Sequence, residues 1–401
     1  MTSDPSATPT MGWLLVVGGS HAEIPLIRVA QRLGYGVITT GNRPSDLGHS
    51  VADKYVPADF SKRDEILAVA EDAGVVGIVS GCNDFAALST AYAAEKLGLP
   101  GHDSYENAVR LHHKDLFRAV LSELALPTPQ AGVVFDEDQA RILCQRLGYP
   151  VIVKPIDLTG GKGISVCAGP EELSGVVTAA VAVSRQDHVI VEQFMDGTRH
   201  GFTCFIENSN VGFWFADDEQ YYLNPYLVSG TTTPSSLPPW ALTELAAAVE
   251  LMAASLGLVD GLMHIQCIMT NSGPRIIELC RRCPGDLYPM FVELSTRYDY
   301  ALAVVSAELG VGIPATGATD TTECVARQCI MGSRSGVLRS INIDRDVAAR
   351  VVHEQLWWTP GQVVDDYLTE KFGILFLRFA GVDEMRRLAL EFNDRITIDF
   401  E

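Results

Sequence analysis

Two short runs carry the residue types from which phosphoryl chemistry is built. The first is Val151-Ile152-Val153-Lys154-Pro155, followed closely by Gly160-Gly161-Lys162-Gly163. The second lies roughly a hundred residues downstream: Arg275-Ile276-Ile277-Glu278-Leu279-Cys280-Arg281-Arg282. A lysine closing a β-branched run is partly buried and needs an anion, either a structural carboxylate or a phosphate. The glycines favour the phosphate, because they let backbone N–H groups approach its oxygens while Lys162 adds charge. No Ser or Thr follows Gly161-Lys162, so this is not a Walker A loop. In the second run, Glu278 offers a metal-binding acid, and Arg281 and Arg282 offer planar forks for a carboxylate or phosphoryl oxygen. A surface arginine cluster is the plainer alternative. Cation, flexible cover, metal acid and anion clamp are the parts that phosphoryl transfer from ATP requires.

Strands and helices must hold these groups. Apolar runs at 13–17, 37–40, 54–57 and 75–80 alternate with helical stretches at 21–33, 62–73 and 84–97, which predicts a doubly wound parallel sheet. Gly18-Gly19-Ser20 invites a dinucleotide reading. The full glycine fingerprint is missing, however, and no acid ends the second strand, so a tight turn able to take an anionic group fits better. Residues 104–124 read as one long helix carrying Lys114, stopped at Leu126-Pro127-Thr128-Pro129. A helix at 136–147 precedes the lysine strand; a helix at 171–183 and a strand from Val189 follow the glycine run. That strand ends in Glu192-Gln193-Phe194, where an acid, exposed backbone and an aromatic could receive an adenine edge. A hairpin is expected around Asn208-Ser209-Asn210, a polar loop at 225–239, and a helix at 241–256. Gln266 and Glu278 then fall on neighbouring strands, two oxygen donors suited to a Mg²⁺ that bridges phosphates. From about residue 320 short strands and helices alternate.

Composition bounds the function. A chain of 401 residues that is 47% hydrophobic, with 35 dispersed glycines, is long enough for two or three domains of α/β type. A formal net charge of −20 opposes a nucleic-acid footprint, so anionic substrates must be drawn in by local lysines and arginines. Nine irregularly spaced cysteines suggest reduced thiols rather than a disulfide framework. Cys280-Arg281-Arg282-Cys283 has no second pair at zinc-finger spacing. The N-terminal stretch is polar, with no apolar h-region, and no run approaches a membrane span. A cytoplasmic protein without membrane or nucleic-acid partners is the expectation.

Taken in order, these elements resemble the ATP-grasp superfamily over about 111–310, and within it the carboxylate–amine ligases, including L-amino-acid ligases. The resemblance implies an ATP-grasp architecture of α/β class. It would comprise a disordered tail (1–11), an N-terminal doubly wound parallel domain (12–110), an ATP-grasp domain (111–315, with a lid at about 130–200) and a small C-terminal α+β domain (316–401). It also implies ATP and Mg²⁺, with Lys114 and Lys154 as the nucleotide lysines and Gly160, Gly161, Lys162 and Gly163 as the phosphate loop. Glu192, Gln193 and Phe194 become the adenine hinge, Glu278 and Gln266 the metal ligands, and Arg282, with Lys162 and Arg281, the catalytic set. Residues 228–237 match the loop lining the substrate site. The implied reaction activates a small-molecule carboxylate, amino-acid-like, as an acyl phosphate and joins it to an amine, in a homodimer if the habit of related ligases holds.

Three positions depart from the family pattern. Arg199 stands where a ribose-binding glutamate is usual, Gln266 replaces the first metal glutamate, and Cys280 replaces the metal asparagine. Either nearby acids (Asp286, or Asp217, Asp218 and Glu219) compensate, or the chain binds nucleotide as a scaffold or sensor without efficient turnover.

Overall fold

The computed structural model describes residues 10–158, 161–315 and 323–401. Most of the expected tail, Gly160 and the start of the expected C-terminal domain at 316 therefore lie outside the described residues.

Near the N-terminus, four parallel strands run in the order Lys54–Pro57, Gly36–Gly41, Trp13–Val17, Gly77–Ser80. All but the edge strand Lys54–Pro57 are almost wholly buried because helices cover both faces, as a parallel sheet requires. The turn after the first strand already holds an anion of its own. Glu23 accepts from Ser20 N and Ser20 Oγ (both 2.7 Å) and from Cys82 N (2.8 Å), and a Cβ on Gly18 would meet it at 3.0 Å. The glycine turn is thus closed on an internal carboxylate rather than open to a cofactor phosphate.

The expected helix at 104–124 breaks at His113, whose extended backbone separates Tyr105–His112 from Lys114–Glu123. A small antiparallel sheet follows, ordered Ala131–Val134, Val189–Gln193, Val151–Pro155, Ser165–Cys167. Helices Glu137–Leu147 and Leu173–Val183 cover one of its faces. Alternation along Val151–Pro155 sends Val151 and Val153 under those helices, which leaves Ile152 and Lys154 on the other face.

The largest sheet has eight strands: Gly273–Cys280, Gly261–Thr270, Thr198–Glu207, Asn210–Tyr221, Val228–Thr233, Val325–Met331, Lys371–Arg378, Val351–Leu356. Helix Pro239–Leu256 packs Leu245, Val249 and Met252 against one face. The stretch expected as a polar loop is therefore partly strand. Val228–Thr233 reads as loop by composition, yet its threonines are β-branched and it is paired on both sides. Three C-terminal strands extend this same sheet, and a three-stranded sheet (Val363–Val364, Gly336–Ile343, Ile396–Phe400) stands beside them.

Candidate active site

Register aligns the site. Glu278 pairs with Gln266, Gln266 with Gly201, and Gly201 with Asp217, so these four form one row across a face of the large sheet. Two residues along, Glu219 pairs with Thr231 and Thr231 with Arg327 on the same face. Gly201 matters because it has no side chain: a Cβ there would stand 2.2 Å from Asp217 Oδ1. The gap it leaves is filled by the carboxylate of Asp217.

Above this face lie two chambers. The larger, about 320 Å³, reaches from Asn83 and Asp84 past Asp217, His264 and Arg282 to Arg327. The smaller, about 90 Å³, is walled by Ile152, Ile268, Ile277, Phe194 and Met195, with Lys154 on its lining. Lys114, Ile164, Tyr226, Gln266 and Glu278 line both and so mark the junction. Gly161 closes down there. Gly161, in the left-handed region, lies so near Tyr226 that a Cβ would meet the Tyr226 Cβ at 2.6 Å. Lys162 is exposed, Gly161 lines the larger chamber, Gly163 packs on Pro155 and Val183, and Gly160 lies outside the described residues.

The smaller chamber is fixed by ion pairs. Lys154 Nζ donates to Glu192 Oε2 at 2.6 Å, and Arg118 Nε lies 2.9 Å from Glu192 Oε1. Glu192 is 1% exposed; burial works to raise its pKa, but Arg118 and Lys154 outweigh that and hold it at about 2. The Glu192 side chain thus braces Lys154 and Arg118 at the lining of this chamber. The amides of Gln193 and Phe194 are likewise taken, by Gln130 O (2.8 Å) and Pro150 O (3.3 Å). What Gln193 and Phe194 present to the chamber is side chain and carbonyl. Lys114 Nζ donates to Leu158 O at 2.6 Å and lies 3.9 Å from Glu278 Oε1.

The two arginines diverge. Arg282 lines the larger chamber, its Nε donating to Asp84 Oδ1 at 2.7 Å, while His112 Nδ1 lies 3.3 Å from the same oxygen. Burial opposes the charge on Asp84, yet Arg282 and His112 hold its carboxyl far below the usual range. Arg281, expected in the catalytic set, is placed elsewhere. It binds Asp103 Oδ2 (2.8 Å), Leu262 O and Val259 O (both 2.6 Å), and so ties strands and loops together behind the site.

Oxygen donors for a divalent cation are few. Gln266 Nε2 donates to Glu219 Oε1 at 2.7 Å, and Tyr221 Oη donates to Glu219 Oε2 at 2.6 Å. That bond fixes the Gln266 amide. The partly exposed Glu278 carboxylate and the Gln266 carbonyl are the hard oxygens left at the junction, a set that suits Mg²⁺ when phosphate oxygens complete it. Among the described residues no cluster of three or more His, Cys, Asp or Glu could hold a metal unaided. Of the acids expected to compensate for Gln266, Asp286 is paired with Lys371 (2.6 Å), and Asp218 with His200 (2.8 Å) and Ser235 (2.7 Å). Burial raises Asp217 well above the ordinary carboxyl range, with Glu219 adding to it, and raises Glu219 as well. Burial takes His264 down to about 3, so the ring is neutral.

Asp84, Arg118, Asp217 and Arg327 are the site residues that sequence reasoning missed or left unassigned. Two had a signal: Arg118 stands four residues after Lys114 on one helix, and Arg327 interrupts an apolar strand as Lys154 does.

A parallel sheet, a small antiparallel sheet and a large antiparallel sheet around this junction make up the ATP-grasp fold. The family model for the ATP-binding domain of the carbamoyl-phosphate synthase L chain matches residues 113–207. Among solved structures, L-amino acid ligase from Bacillus licheniformis is 18% identical with a TM-score of 0.81, over 98% of this chain and 100% of that one. Phosphoribosylglycinamide synthetase from Anaerococcus prevotii is 20% identical (TM-score 0.76; 97% and 100%). The biotin carboxylase domain of Hydrogenobacter thermophilus 2-oxoglutarate carboxylase, solved with MgADP and bicarbonate, is 16% identical (TM-score 0.77; 96% and 90%). At these identities the likeness establishes architecture. No helix among the described residues is long and apolar enough to cross a membrane.

Proposed function

We propose that the protein is an ADP-forming ligase that activates a small-molecule carboxylate with ATP and joins it to an amine. The observation that carries this reading is the junction: Lys114, Gln266 and Glu278 stand between an apolar chamber bearing lysines and a polar cavity containing Arg282. The apolar walls suit a nucleobase, and Lys114, Lys154 and Lys162 would offset phosphate charge. Glu278 and the Gln266 carbonyl would hold Mg²⁺, which when bound would neutralise charge on the bridging phosphate oxygens.

The chain's own residues then have distinct tasks. A substrate carboxylate beside Arg282 attacks the terminal phosphorus; the bond to the ADP oxygen breaks, giving an acyl phosphate and ADP. Arg282, held by Asp84, donates to the oxyanion that develops when the amine attacks the acyl carbon. Phosphate leaves, the nitrogen loses its proton, and an amide results. Gly161, close against Tyr226, would help keep water from the acyl phosphate. Incubation with ATP, Mg²⁺ and pooled carboxylates and amines should release ADP and phosphate with a new amide mass. Release of AMP and pyrophosphate would overturn this mechanism.

One observation favours a second reading. Cys280 is buried and its Sγ lies 3.5 Å from Arg282 O, so it adds no oxygen ligand and leaves a single carboxylate at the junction. A nucleotide-binding scaffold or sensor would show ATP binding without turnover in the wild type, and turnover gained in Gln266→Glu.

A further inference from the structure

Arg281 and Arg282 bind different carboxylates, yet one ring touches the settings of both. The His112 side chain is 2% exposed. Its Nε2 accepts from the backbone N–H of Arg281 at 3.4 Å. Its Nδ1 lies 3.3 Å from Asp84 Oδ1, the oxygen that accepts from Arg282 Nε at 2.7 Å. A line of contacts thus runs from the Arg281 amide through the His112 ring and Asp84 to Arg282 on the wall of the larger cavity. Among the described residues the buried Nδ1 makes no well-aligned hydrogen bond; Asp84 Oδ1 stands in ion-pair range but off its line. A small turn of the carboxylate would complete the bond, as happens at sites whose contacts tighten when substrate binds.

The two ring nitrogens are not equivalent. A backbone N–H can only donate, so Nε2 presents its lone pair to Arg281 and the ring hydrogen sits on Nδ1, on the side of Asp84. The amide that sets this tautomer is itself held, because the Arg281 side chain is tied to Asp103, Leu262 O and Val259 O. Asp84 is fixed by its backbone at the first turn of helix Asp84–Leu97, where Asn83 Oδ1 accepts from Phe85 N at 2.9 Å. What remains free is rotation of its carboxylate, and the ring stands where it limits that rotation. The break at His113 completes the design: it lets His112 turn toward Asp84 while Lys114 reaches the junction. One short segment thereby serves both chambers.

We propose that His112 is a positioning residue for Arg282: the hydrogen on Nδ1 steers the Asp84 carboxylate, and that carboxylate aims the guanidinium into the larger cavity. Arg281 contributes through its backbone N–H, by setting the tautomer. The effect on turnover rests on the ligase reading above; the steering of Arg282 stands apart from it. A ring that merely filled space between the helices would need neither nitrogen for this purpose, and the two nitrogens can be removed separately.

The test uses three variants of the full chain. His112→Asn keeps a donor near the Nδ1 position, His112→Gln keeps an acceptor near Nε2, and His112→Leu keeps neither. In steady-state ADP release, His112→Leu and His112→Gln should lower kcat about tenfold, and His112→Asn by no more than about threefold. The KM for ATP should stay within about twofold of wild type in all three. A second readout needs no turnover: in protein carrying isotope-labelled arginine, the Arg282 Nε–H resonance is identified by its absence in Arg282→Lys. Its exchange with water should be slow in the wild type and in His112→Asn, and about tenfold or more faster in the other two variants. If His112→Leu fails to fold, the contrast between the Asn and Gln variants decides. Rescue by His112→Gln and not His112→Asn, equal loss of kcat in every variant, or unchanged Arg282 exchange throughout would overturn the proposal. Absence of ADP release from the wild type with the expected exchange pattern would remove the ligase reading and leave the steering of Arg282 standing.

Discussion

The two chambers treat charge in opposite ways. Around the smaller one, Lys154 and Arg118 are both satisfied by the same buried Glu192 before any ligand arrives. Around the larger one, Asp217 and Arg327 are buried with no ion-pair partner among the described residues. The first arrangement makes a wall whose shape does not depend on its guest. The second leaves polar atoms without partners until a guest supplies them. A nucleotide site shared across a fold needs the former, and a site that must choose among small molecules gains from the latter.

The junction should give the largest effect, because both chambers depend on it. Glu278→Gln is expected to lower ADP release by about a hundredfold or more, as removal of transition-state electrostatics usually does. Its unfolding midpoint should hardly move, since the side chain is 44% exposed. Next comes the paired side of the comparison. Glu192→Leu strands two buried cations and should cost about 3–5 kcal/mol in denaturant unfolding. Asp217→Asn probes the unpaired side: burial already pushes this carboxyl well above the ordinary range, so a neutral amide in its place should leave the ligand-free protein about as stable. A clear loss of stability there would mean that Asp217 is already compensated and the contrast is false. Asp84→Asn lies between, slowing turnover about tenfold or more by releasing Arg282, with little change in nucleotide affinity.

Acidity separates the two kinds of buried acid more finely. Glu192 has a folded pKa of about 2 against an ordinary 4.5, so its contribution is full above pH 4.5 and is lost as pH falls toward 2. Glu308, accepting from Ser80 N at 2.5 Å, is raised by burial to about 8. Its neutral form is the favoured one, so stability should decline as pH rises from 4.5 to 8, and Glu308→Gln should flatten that decline in thermal melts across the range.

Much of this was legible from residue order, and the remainder for definite reasons. Lys154 and Glu278 stood out because a charge inside an apolar strand must meet something. The same logic applied to Arg327, but its ligand-facing role depends on a register that joins Val228–Thr233 to Val325–Met331. Arg281 and Arg282 look alike in one dimension; packing sends the first to Asp103 and the second to Asp84. In the sequence Glu192 reads as a strand-end acid because its partner Arg118 lies on a helix far earlier in the chain. The threonine-rich 228–233 segment reads as loop, since only its neighbours on both sides make it a strand.

The continuity of the large sheet across residues 233 and 325 has a consequence for how the chain can be divided. A fragment ending at 315 would expose the backbone N–H and C=O groups along one side of Val228–Thr233, a free edge bordered by buried threonines with no charge or proline to guard it. Such a fragment would recruit strands from its own copies, so the segment that resembles a complete catalytic unit is, in isolation, a template for aggregation.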